Sequence, residues 1–110
     1  MIKFINIIVM PIWIVLFIWL FTATAFAGNA KIGEMKFNMN CKQCHGPAGM
    51  GMASYPKVSG KDTAYTIDRL KRYRSGEEIG ANSALMIMMA KPLSDNDINN
   101  LAEYLKEAKR

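Results

Sequence analysis

Five consecutive residues hold every thiol and the only imidazole of this 110-residue chain: Cys41, Lys42, Gln43, Cys44 and His45. That concentration constrains the chain more than any other feature. A disulfide across a two-residue gap closes so short a loop that it restricts little of the unfolded chain. Pairs at this spacing are more often redox-active, and a thioredoxin-like site sets its C-x-x-C beside a βαβ unit. No strand pattern flanks this one. Structural zinc takes four ligands, and no cysteine or histidine remains to complete the set. Covalent haem uses all three residues. C-x-x-C-H is the attachment motif for haem c: each thiol adds to one vinyl group, and the adjoining imidazole supplies one axial ligand to the iron. Cys41 and Cys44 are therefore the expected attachment points of one covalent haem, with His45 on its iron.

The compartment follows from the first 27 residues. They carry one charge, Lys3, then fifteen apolar or proline residues in a row from Ile7 to Phe21, then Ala25-Phe26-Ala27 ahead of Gly28. A basic start, an apolar core and a small-residue cleavage site make a secretory signal peptide. An uncleaved membrane anchor is the other reading, since the apolar stretch approaches the roughly twenty residues of a span. Either way residues 28–110 are exported as one domain, to the periplasm or to the outer side of the cytoplasmic membrane. Without Lys3 the chain's net charge of +5 becomes +4. That suits an acidic protein partner and is too weak a signal for nucleic acid. A domain this small needs a staple, a metal or a partner; a bound haem supplies a large apolar core.

An iron held by one histidine needs a second ligand, and Met–His ligation suits electron transfer. The stretch "NSALMIMMAKPLSDND" offers Met86, Met88 and Met89. Methionine is also ordinary core filler. Met50 and Met52, in the turn-rich stretch 46–58, are also possible ligands by chemistry, with packing on the haem edge as their other reading. Downstream, Ser94 and Asp97 form a capping box, with Leu93 and Ile98 as its hydrophobic staple. Ile98, Leu101, Ala102 and Leu105 then make one apolar stripe of a C-terminal helix. A first helix runs into the five-residue motif through Ile32, Gly33, Met35 and Phe37. A glycine there costs about 1 kcal/mol relative to alanine, a cost that close approach of another helix explains. A further helix over 63–75, capped by Asp62 and stopped at Gly76, turns Ala64, Ile67 and Leu70 inward. No segment reads as a strand.

Four stretches together resemble the small class I c-type cytochromes, most closely the cytochrome c4 and c553-like group: "GEMKFNMNCKQCHGPAGMG", "YPKVSGKDTAYTIDRLKRYRSG", the methionine segment and "LSDNDINNLAEYLKE". The resemblance implies an all-α fold of about four helices around one haem. It implies a crossing of the first and last helices through Gly33, Phe37 and Tyr104, and a Pro56 carbonyl that accepts a hydrogen bond from His45. It also implies Met86, seven residues before Leu93, as the sixth ligand, with Met88 next in order.

A filled coordination sphere leaves no substrate position, and the chain shows no acid–base pair, nucleophile constellation or phosphate loop. The expected function is single-electron transfer between larger redox proteins, not catalysis. Alternatives are a cytochrome subunit of a larger oxidoreductase, or a haem sensor or peroxidase with a labile sixth ligand. Arg69, Lys71, Arg72 and Arg74, with Lys57 and Lys61 just before them, form an expected docking group for an acidic partner.

Overall fold

The computed structural model describes residues 28–109. The expected signal peptide or anchor over residues 1–27 lies outside them. Five helical segments follow: α1 (Ala30–Asn40), α2 (Lys42–His45), α3 (Thr63–Arg74), α4 (Ser83–Ala90) and α5 (Asp95–Glu107), with a 3₁₀ turn at Pro47–Gly49. Among the described residues β-pairing is limited to one isolated bridge between Met52 and Tyr55. No described helix is long and apolar enough to cross a membrane. The fold is all-α, as expected.

The crossing of α1 and α5 is the mechanical centre. The α1 N-cap is Asn29, whose Oδ1 accepts from the Lys31 and Ile32 N–H groups at 3.0 and 3.1 Å. Its own N–H donates to Asn100 Oδ1 at 2.7 Å, which ties the start of α1 to the middle of α5. At Gly33 the helices touch backbone to backbone, and a Cβ there would overlap the Asn100 carbonyl. The mid-helix glycine thus has its reason. One turn on, Phe37 meets Tyr104 with ring centroids 5.5 Å apart and planes tilted by 49°. Ile32 and Met35, apolar neighbours of Gly33 in sequence, lie exposed on the far side of α1.

Helix α5 is built as its sequence predicts. Ser94 Oγ accepts from the Asp97 N–H, and Asp97 Oδ2 accepts from the Ser94 N–H, both at 3.0 Å. That reciprocal bonding holds the Asp97 carboxyl below its usual range, with the backbone bond from Ser94 as the main cause. Ile98, Leu101, Ala102 and Leu105 are buried, and Leu93 joins them from the N′ side.

Helix α3 ends in a Schellman arrangement: Gly76 (φ 89°) donates to Tyr73 O and Glu77 to Arg72 O. Its start differs from expectation, because Asp62 occupies the N-cap position without a side-chain hydrogen bond. Its inward face is rotated as well. Thr66 is buried while Ala64 is exposed, and Ile67, Leu70 and Tyr73 pack against the core. Ala64 has too little apolar area to win the inner face over two larger side chains and a ring. Helix α4 has no polar stripe to orient it. Ser83 fixes its entry instead, accepting from the Ile79 N–H at 2.7 Å and donating to Gly80 O at 3.0 Å. Ala90 and Leu93 then bury its exit in the core.

Candidate haem site

The site begins where α1 stops. Cys41 interrupts the helix with a ψ of −32° at a φ of −120°, and the chain re-enters helix for one turn, α2, which carries Cys44 and ends on His45. Gly46, at φ 76°, then reverses the chain. Gly51 donates to His45 O at 2.7 Å. Gly49 occupies a second left-handed position (φ 66°), where a Cβ would lie 3.0 Å from Leu105 Cδ2 and Val58 Cγ2, so both conformation and space require glycine. Its carbonyl accepts from Val58 and Ser59, and Gly60 donates to Leu105 O at 2.8 Å. The turn-rich stretch is therefore an ordered loop pinned to α5.

That loop brings Pro56 to His45. The imidazole is buried, 7% exposed, with Nδ1 2.8 Å from Pro56 O. A carbonyl can only accept, so Nδ1 carries the proton and Nε2 the lone pair. No buried side-chain nitrogen or oxygen lacks a partner among the described residues. Nε2 has no hydrogen-bond partner among the described residues and is not sealed from the space around it.

The space is there. One cavity of about 320 Å³ has apolar walls from Phe37, Val58, Leu70, Leu101 and Leu105, with Cys41, His45, Pro56 and Met86 also on its lining. An adjoining cleft of about 850 Å³ is lined by Cys41, Cys44, His45 and Pro56 on one side of the chain and by Leu85, Met86 and Met89 from α4. Both volumes lie in the usual range for cofactor pockets, about 300–1,000 Å³. Met86 is common to the two; Met88 is 60% exposed and lines neither.

The donor set suits a flat apolar group carrying a metal. Cys41 and Cys44 are not joined in a disulfide. Burial pushes Cys41 up to about 11, while Lys36 pulls it down and Cys44 adds a smaller upward push. A dithiol oxidoreductase needs the reverse, a thiol shifted toward thiolate. No group of three or more His, Cys, Asp or Glu able to hold a bare metal ion occurs among the described residues. Two thiols, one open imidazole nitrogen, one thioether and apolar walls fit haem.

The four cations expected as one docking group separate into different roles. Arg72 grips Glu77 in a fork, Nε at 2.8 Å and Nη2 at 2.6 Å, and also lies 3.5 Å from Asp68. Arg74 donates to Leu93 O at 3.0 Å and pairs with Asp95 at 2.7 Å, clipping α3 to the start of α5. Arg69 is part of the smaller cavity's wall, with Lys57 and Lys61. Lys71 alone of the four is exposed and unpaired among the described residues. The sequence reading missed this division because charge at helical spacing does not reveal which carboxylates and carbonyls fold back. It also missed Ser83, whose partners are backbone atoms of its own turn and leave no pattern in residue types.

The cytochrome c family model matches residues 30–109. Cytochrome c-554(548) of Halomonas halodenitrificans is 44% identical over 79 residues, covering 71% of this chain and 94% of that protein. The thiosulfate dehydrogenase electron acceptor of Stutzerimonas stutzeri is 38% identical over 65 residues, 58% of this chain, which spans only 30% of that protein. The crystal structure of reduced recombinant cytochrome c4 from Pseudomonas stutzeri superposes with a TM-score of 0.65 at 30% identity, covering 76% of this chain and 52% of that one. A helical fold with a C-x-x-C-H turn under a cavity of this kind, matched over nearly its whole described length, places this chain in the cytochrome c family, among the class I, c4-like proteins that carry covalent haem c.

Proposed function

We propose that the chain carries single electrons between larger redox proteins outside the cytoplasm. Cys41 and Cys44 would hold the haem, and His45 and Met86 would be the protein's two ligands to its iron. The observation that carries the reading is that His45 and Met86 line the same two cavities. Bound haem supplies an iron that gains and loses one electron. The protein's part is to keep everything around it still. Pro56 O fixes the imidazole ring and makes it a better donor through the Nδ1 bond. Met86 adds a thioether, which favours the ferrous state and raises the potential. Phe37, Leu70, Leu101 and Leu105 exclude water from the pocket.

Electrons enter and leave near Cys44, which is exposed at the edge of the larger cleft. Transient redox contacts of this kind are small, below about 1,200 Å². The likeness to an electron acceptor of thiosulfate dehydrogenase supports a dehydrogenase as one class of donor. An exported domain, with residues 1–27 as a cleaved signal peptide or a retained anchor, agrees with covalent haem and with the apolar start of the chain.

Carbon monoxide tests the reading. The reduced native protein, with both axial positions filled, binds none on mixing. Rapid binding would mean an open sixth position and a sensor or peroxidase instead.

A further inference from the structure

The charges around the two cavities are unequally divided. The smaller cavity is lined by three cations, Lys57, Lys61 and Arg69, and by no carboxylate. The larger cleft, which holds Cys44, is lined by no lysine, arginine or carboxylate. The cations are also organised. Lys61 Nζ lies 5.8 Å from the Tyr65 ring centroid and Arg69 Cζ 5.2 Å from it, so one aromatic ring on α3 steadies both. Arg69 makes no ion pair with a carboxylate of the chain among the described residues, whereas Arg72 and Arg74 on the same helix do. Three cations at the mouth of an apolar cavity, one of them half-buried, give that side of the pocket a positive potential suited to an anionic group.

Haem brings two. Its propionate carboxylates lie at the edge away from the vinyl groups, and the vinyl edge belongs to Cys41 and Cys44. We propose that Lys61 and Arg69, stacked on Tyr65 and joined by Lys57, form the subsite for the haem propionates, and so set the reduction potential rather than serve as partner-docking charges. This rests on the haem reading above. The cations hold carboxylates that would otherwise place negative charge beside the iron and favour its ferric state. Neutralising Lys61 or Arg69 removes positive charge from the pocket and frees the propionates, and both effects stabilise ferric iron. The potential therefore falls. Lys71 lies outside both cavities and exerts no comparable effect.

Spectroelectrochemical titration of the purified holoprotein tests this, alongside redox-difference infrared spectra of the carboxylate stretches. In the double variant K61Q/R69Q the ferric-to-ferrous equilibrium shifts about tenfold toward ferric, about 59 mV for a one-electron couple. The propionate band moves as well. K61R/R69K, which keeps both charges, stays close to the parent, and so does K71Q. The haem absorbance of each variant shows that the pocket has formed. An unchanged potential and carboxylate band in K61Q/R69Q would overturn the proposal, as would a fall matched by K71Q. Absence of haem from the unmodified chain would instead overturn the reading on which it rests.

Discussion

The two halves of this domain are held together in opposite ways. Where α1 crosses α5, the protein is closed on itself: Phe37, Ile98, Leu101 and Ala102 are 2% exposed or less, and Gly33 lets the backbones touch. Around the cavities it is open. Helix α4, "SALMIMMA", buries only its two ends, Ser83 and Ala90, while Leu85, Met88 and Met89 remain exposed. The loop from Gly46 to Gly60 is ordered by backbone bonds rather than by a core of its own. The first half is a scaffold held by packing, and its Phe37 and Leu101 also form part of the smaller cavity's wall. The second is shaped around a group that the chain does not encode. Substitutions in the first half should therefore alter stability, and those in the second should alter colour, ligand binding and potential.

The largest effect belongs to the open half. The double variant C41S/C44S loses covalent haem altogether, read as loss of the haem stain on a denaturing gel. Any stain that survives would mean attachment elsewhere. Met86→Ala should open the sixth position: the reduced protein then binds carbon monoxide, and its potential falls as the thioether is lost. If Met88→Ala did this and Met86→Ala did not, α4 would present a different face to the haem.

In the closed half, Phe37→Ala removes a fully buried ring and its contact with Tyr104, which costs about 3–5 kcal/mol in denaturant titration of the holoprotein. Gly33→Ala forces the helices apart at Asn100 and costs about 1–3 kcal/mol as overpacking does. Its haem spectrum stays that of the parent, which is what separates the two halves. A spectral change as large as the stability loss would show that the crossing and the pocket act as one unit.

The smallest effects are at the α5 cap. Ser94→Ala removes the bond from the Asp97 N–H to Ser94 Oγ, leaves the one from the Ser94 N–H to Asp97 Oδ2, and costs about 1 kcal/mol. Asp97 has a depressed pKa in the folded state. Its contribution is present above the ordinary carboxylate range and is lost as pH falls through its folded value, because protonation removes the bonded anion. Thermal melts of D97N should thus show a shallower loss of stability on acidification than the parent. A slope equal to the parent's would remove Asp97 from the acid response.

Part of the closed half was legible from local rules, whereas the Phe37–Tyr104 contact came from family resemblance and the Asn29–Asn100 tie from neither. Ser94, Asp97 and the Ile98–Leu105 stripe follow rules of helix capping and periodicity that act locally, and Gly33 stood out because a mid-helix glycine needs a cause. The five-residue motif was legible for a different reason: its chemistry depends on spacing alone. Helix α4 resisted, since a segment apolar on all sides has no periodicity to say which methionine faces inward. The cations of α3 resisted for a similar reason. Lys71, Arg72 and Arg74 look alike in sequence, and only the fold brings Glu77, Asp95 and the Leu93 carbonyl to two of them. The loop's contact from Pro56 to His45 spans eleven residues and is made by a backbone atom, so only family resemblance suggested it.

Everything above depends on one haem bonded through Cys41 and Cys44. Intact-mass measurement of the purified native chain, followed by fragmentation across residues 41–45, tests it most directly. The expected mass is that of the polypeptide plus one haem, with the added mass confined to the fragment bearing both cysteines. A colourless protein with the mass of the bare polypeptide would contradict it.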